Sequence, residues 1–105
     1  MKVPNYHADL LKELKNPVFA LKYLNACLED GDHGVFLLAL RHVAEAHGGI
    51  GRLAKKAKLN REHLWRMLSK RGNPRLENLV QLAHAFGWRL ALIDKEDSST
   101  LKRAA

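Results

Sequence analysis

The chain has 105 residues, 47% of them hydrophobic and only 7% aromatic, enough for one compact core but not for two. Eighteen Lys and Arg against eleven Asp and Glu leave a net charge of +7, which favours an anionic partner; the single cysteine, Cys27, rules out an intrachain disulfide and hence a staple-dependent secreted miniprotein. The opening MKVPNYHADL carries no long apolar stretch, Asp9 and Glu13 interrupt it, and no run approaches the roughly 18 apolar residues of a membrane span, so a cytoplasmic protein is expected.

Residues 1–8 show no clear period and read as a flexible arm. Asp9 is placed to cap a short helix ending at Lys15, with Leu10, Leu11 and Leu14 on one stripe. Asn16-Pro17 stops that helix and starts another, because Asn accepts orphan amide hydrogens and Pro tolerates the first helical position. The second helix runs to about Glu29, burying Leu21, Leu24 and Leu28 with Tyr23 and Cys27 on its flanks, and Asp30-Gly31 ends it. Asp32 caps a third, ending near His47, in which Phe36, Leu40 and Val43 fall at helical intervals. Gly34 weakens its first turn by up to about 1 kcal/mol relative to Ala, and Gly48-Gly49 breaks the helix with a left-handed C-cap.

A short helix from Gly51 to Ala57 would bury Leu53, Ala54 and Ala57. Lys58, Leu59 and Asn60 form a turn, and Asn60 caps a helix from Arg61 to about Ser69 that buries Leu64 and Leu68 with Met67 beside them. Arg71-Gly72-Asn73-Pro74 is a turn signal at nearly every position. A last helix from Arg75 to Phe86 sets Leu76, Leu79, Ala83 and Phe86 at core spacing, with Leu82 adjoining and Gly87 as C-cap. Residues 88–93 read as a short strand or an apolar arm and 94–105 as a flexible tail. The expected organisation is a single helical domain over 9–93 with a helix-turn-helix core at 50–86; the same periods also describe a plain helical bundle.

The basic charge is local. Between Gly51 and Arg75 stand Arg52, Lys55, Lys56, Lys58, Arg61, Arg66, Lys70, Arg71 and Arg75 against the single acid Glu62, so this window carries +8 and the remainder of the chain −1. A helix that enters the major groove must be short, fixed across a tight turn from its predecessor, and free on the outer side of its first turns. The outward positions after Asn60 are Arg61, Glu62, His63, Trp65 and Arg66. Arg61 and Arg66 suit the O6 and N7 of guanine. Glu62 suits two roles, accepting from cytosine N4 or stabilising the positive end of its helix. Trp65 either packs on a thymine methyl or sugar or props two helices apart, and His63 near the helix start meets a phosphate or base, or nothing. Lys55, Lys56, Lys58, Lys70, Arg71 and Arg75 read as phosphate-facing residues that add affinity with little sequence information.

Other classes fit less well. The six histidines, His7, His33, His42, His47, His63 and His84, form no HExxH pattern; there are no paired metal-ligand cysteines and no glycine-rich phosphate loop. Cys27 has no base beside it and reads as a small core residue rather than a nucleophile. Neither catalysis nor a cofactor or metal is expected. An RNA-binding reading lacks a platform of interleaved aromatics, whereas a protein-interaction module without specific DNA binding stays open.

The stretch GGIGRLAKKAKLNREHLWRMLSKRGNPRLENLVQLAHAFGWRL resembles the lambda-repressor-like helix-turn-helix family of the Cro and Xre type, through Leu53-Ala54, the Leu59-Asn60 turn, Leu64, Gly72-Asn73-Pro74 and the Leu79–Gly87 segment. A closer resemblance, to the HigA-like addiction-module antidote proteins, extends upstream through Tyr23-Leu24-Asn25-Ala26, Leu28-Glu29-Asp30-Gly31-Asp32 and Phe36-Leu37-Leu38-Ala39-Leu40-Arg41 and covers about residues 9–93. It implies an all-α fold, a five-helix lambda-repressor-like DNA-binding domain with a short N-terminal helix, and a homodimer on a palindromic operator. It further implies repression of its own operon and neutralisation of a RelE-like ribonuclease toxin, with base reading at Arg61, Glu62, His63, Trp65 and Arg66. A stand-alone Xre-type regulator is the other reading. Lys58 stands where the family often has Gly, so the turn either differs or holds a strained left-handed lysine; Gly51 stands where a Thr or Ser cap is frequent, and Gly caps almost as well as Thr. Residues 88, 90 and 92 alternate as an apolar edge that either pairs across a two-fold axis or packs back, and the Leu10, Leu11 and Leu14 stripe either holds the toxin or packs internally.

Overall fold

A computed structural model of the chain describes residues 6–96. Over these it is all-α, with helices α1 (Tyr6–Leu14), α2 (Pro17–Glu29), α3 (His33–Ala46), α4 (Ile50–Ala57), α5 (Arg61–Met67) and α6 (Leu76–Ala85), and no strand among the described residues. Of the arm expected at 1–8 and the tail expected at 94–105, residues 1–5 and 97–105 lie outside the described residues, while residues 6–8 are not an arm but the first residues of α1.

Three helices start on polar side chains that answer their orphan amides. Asn16 Oδ1 accepts from Val18 N at 2.9 Å and Phe19 N at 3.4 Å, with Pro17 at the first helical position. Asp32 Oδ1 accepts from Gly34 N at 2.9 Å and Val35 N at 3.2 Å, and Asn60 Oδ1 accepts from His63 N at 3.0 Å. Several boundaries differ from the sequence reading, α5 closing at Met67 and α6 spanning Leu76–Ala85, and two of the helix starts change a cap. α1 begins at Tyr6, so Asp9 is an acid in its first turn, favourable to the helix dipole, and not its cap. α4 begins at Ile50 behind Gly49, whose φ of 94° opens the turn, and Gly51 sits inside the helix.

α1, α2 and α3 pack on one another, and α3 also meets α4, which in turn carries α5 and α6. One aliphatic core runs through all six: Leu14 from α1, Ala20 and Leu24 from α2, Leu37, Leu40 and Val43 from α3, Ile50, Leu53, Ala54 and Ala57 from α4, Leu64 and Met67 from α5, and Leu82 from α6. α1 is also tied to α3 by polar contacts. His47 Nε2 is 2.8 Å from the Leu14 carbonyl oxygen, His7 Nε2 is 3.3 Å from Glu45 Oε2, and the His7 and His42 rings meet edge-on at 5.2 Å.

The core departs from the expected stripes at helix ends. Leu28, in the last turn of α2, is 49% exposed and Leu76, the first residue of α6, is 70% exposed; a periodic stripe is buried only as far as a neighbouring helix lies beneath it. Leu14 is fully buried, which removes it from any docking surface and leaves only the partly exposed Leu10 and Leu11 of that stripe. No strand forms at 88–93. Gly87, with φ 86°, reverses the chain, Trp88 N donates to Ala83 O at 2.8 Å, and the Trp88 ring stacks on Phe86 at 5.2 Å. This is a Schellman closure of α6, and beyond it the segment has no neighbouring strand among the described residues to bond with, and Leu90 and Leu92 are exposed.

Candidate nucleic-acid interface

α4 and α5 are joined by three residues whose backbone is closed at every step. Lys58 N donates to Lys55 O at 3.3 Å, Leu59 N donates to Ala54 O at 2.9 Å, and Leu64 N donates to Asn60 O at 2.9 Å. The reversal needs one left-handed residue, and Lys58 supplies it with φ 58° and ψ 43°, the only positive φ outside glycine among the described residues. A side chain in that region costs about 1 to 2 kcal/mol. Lys58→Gly is therefore expected to raise the free energy of unfolding by about 1 kcal/mol, read as a higher urea midpoint with unchanged slope; a lowered midpoint would show that the turn carries no such strain.

The turn and the cap together orient α5. Leu64 and Met67 face the core, 0% and 5% exposed, whereas Arg61, Glu62, His63, Trp65 and Arg66 all lie on the exposed side. A shallow depression is lined by Asn60, Arg61, Glu62, Trp65 and Arg66. A second, sharing Arg66, gathers His63, Arg71, Asn73 and Arg75 around the turn after α5. Lys55, Lys56, Lys58 and Lys70 are exposed and line neither depression. Arg75 lies 3.7 Å from Glu77 with both side chains largely in solvent, an ion pair too hydrated to withhold the arginine from another anion.

Of the two roles open to Trp65, the prop between helices is the one for which the structure holds a contact. Arg41, on α3, places its guanidinium carbon 3.8 Å from the Trp65 ring centroid and donates from Nη2 to the Trp65 carbonyl at 2.9 Å, yet the residue remains 51% exposed. Arg41 lies outside the cationic window and was missed in the sequence. The only trace of it there is an arginine set into the apolar run of α3, and a cation in such a run needs a partner that sequence spacing cannot name.

Elsewhere the titratable groups have structural settings. Burial pushes the Cys27 thiol up, with a hydrogen bond from Tyr23 acting against that shift, so the thiol is held protonated, the opposite of what a nucleophile needs. Burial pushes His42 down, keeping it neutral beside His7. No group of three or more His, Cys, Asp and Glu able to hold a metal occurs among the described residues, and no helix among them is long and apolar enough to cross a membrane.

Neither the curated proteins nor the solved structures contain a significant match to the chain. A protein-family model does match, over residues 6–94, and its description is "Probable addiction module antidote protein". That span takes in all six helices together with the α4–α5 turn, and the chain accordingly belongs to this family of addiction-module antidotes, whose role in a toxin–antitoxin pair is non-enzymatic.

Proposed function

We propose that α4, the Lys58–Asn60 turn and α5 form a Cro/Xre, lambda-repressor-like helix-turn-helix, and that the antidote is also a sequence-specific DNA-binding repressor of its own toxin–antitoxin operon. The observation that carries this reading is the division of α5. Its inner side is anchored by Leu64 and Met67, and its outer side offers Arg61, Glu62, His63 and Arg66 together, the side-chain types that read base edges in the major groove. Around it Lys55, Lys56, Lys58, Lys70, Arg71 and Arg75 supply the charge for phosphates on either side. The protein acts as a homodimer on a palindromic operator, with half-sites one or more DNA turns apart, and the exposed Leu90 and Leu92 are surface a second copy would cover. Footprinting on the DNA upstream of its own gene is expected to reveal one palindromic protected site; folded protein with no selective site would defeat the assignment.

The toxin it neutralises is a RelE-like ribonuclease. With Leu14 buried, toxin capture falls to what the N-terminal helices leave outside, Val18 and Leu28 being 62% and 49% exposed. Those residues also favour a second reading, an interaction module that holds the toxin without reading DNA. Co-expression with the neighbouring small gene is expected to yield a stable complex and to rescue growth, and absence of both would reject this toxin assignment. A variant that loses the operator but still rescues growth would separate the two activities.

A further inference from the structure

α5 has seven residues, so most of its carbonyls belong to its C-terminal end and need hydrogen-bond donors from elsewhere. The amide of Ser69, which would continue the helical ladder onto Trp65, donates to Arg66 O at 3.3 Å. The carbonyl of Trp65 is met from α3, where Arg41 Nη2 donates to it at 2.9 Å. The same guanidinium lies over the Trp65 ring, 3.8 Å from its centroid. One planar, rigid group therefore holds both the backbone and the side chain of a single residue on α5, a pair of contacts that a lysine ammonium cannot make together. Arg41 is half-buried, and its Nε is enclosed with no hydrogen-bond partner, so the side chain is committed to this contact at some cost. The principal helical neighbour of α5 is α4, and Arg41 brings a second tie from a different element. Trp65 is one helical turn from Arg61 and Glu62 and next to Arg66, and these residues share its depression.

We propose that Arg41 is a positioning residue for the DNA-reading helix: acting from α3 through Trp65, it sets the angle at which Arg61, Glu62 and Arg66 meet the bases, and so governs base selectivity without touching DNA. The inference rests on the DNA-reading function proposed above. It is tested with the full chain carrying Arg41→Lys or Arg41→Gln, the lysine variant retaining both charge and aliphatic stem. Binding is measured to the selected operator, to single-base variants beneath α5 and to a scrambled duplex over a range of salt. The preference for the operator over its single-base variants is expected to fall about tenfold in both variants, while binding to scrambled DNA and the salt slope stay as in the parent. In a Trp88→Phe background, where Trp65 is the only tryptophan, acrylamide quenching of Trp65 is expected to increase when Arg41 is replaced.

Uniform weakening on every duplex with a salt slope shallower by about one would mean that Arg41 meets a phosphate itself, which overturns the proposal. Unchanged selectivity in folded variants overturns it as well, and leaves the DNA-reading function standing because the parent still selects its operator. A parent chain with no selective binding defeats the DNA-reading function first and this inference with it.

Discussion

With Arg61 and Arg66 both replaced by alanine, the protein is expected to stay folded and to lose most of its ability to tell its operator from scrambled DNA. Both side chains are exposed, and neither makes a salt bridge or a side-chain hydrogen bond among the described residues, so truncation costs less than about 0.5 kcal/mol of stability. On DNA the same guanidinium forks are each worth about 1 to 3 kcal/mol of discrimination when bidentate to guanine. Removing the pair then lowers the operator-to-scrambled ratio by at least about thirtyfold. The residual binding is carried by Lys55, Lys56, Lys58, Lys70, Arg71 and Arg75, and six phosphate contacts would keep a log–log salt slope of about −5 in the double variant. Competition gel shifts at fixed salt measure the ratio, and the slope is measured on scrambled duplex alone. Discrimination retained within about twofold would mean that these arginines do not read bases.

Gly72→Ala is expected to be the most damaging single substitution in the turn after α5. A Cβ there would lie 2.1 Å from the Met67 carbonyl oxygen, 2.8 Å from its carbon and 3.0 Å from the Ser69 carbonyl oxygen. All three are backbone atoms, and Gly72 N already donates to Ser69 O at 2.9 Å, so no rotamer change relieves the clash. The turn must open, and it opens at Met67 and Leu68, which are 5% and 0% exposed in the core. The expected loss is about 3 kcal/mol, a fall in melting temperature of roughly 12 to 24 °C for a domain of this size. A melting temperature within about 4 °C of the parent would show that the turn accommodates a Cβ at this position. Gly34 guards the same turn from the side of α3, since a Cβ there would meet the Lys70 carbonyl oxygen at 2.6 Å. In the sequence that glycine counted only as a weak spot in a helix; in the fold it is what lets α3 come close.

Much of the geometry of α4, its turn and α5 could be read before the fold because its determinants are local. A cap acts within three residues, so Asn16, Asp32 and Asn60 announced their helices. The strain at Lys58 was foreseen as one of two outcomes through the family resemblance, because Gly often stands at that position, and the structure holds the left-handed lysine. The exposed set on α5 follows from period and cap together. Leu28 and Leu76 were misread for the opposite reason: a stripe on one helix does not say where its neighbour stops. Arg41 was missed because its partner lies 24 residues away, on a helix whose approach depends on everything packed between.

The amino-acid order alone therefore determined six helical segments, the caps Asn16, Asp32 and Asn60, the breakers between helices, and a cationic window interrupted by one acid, since each arises from interactions spanning a turn or two of backbone. Only the tertiary structure decided that Leu14 is inside and Leu92 outside, that Trp88 folds back instead of extending a strand, and that Arg41 grips Trp65. Those outcomes depend on which surfaces meet across the core, and surfaces distant in sequence meet only after the chain has paid the entropy of bringing them together.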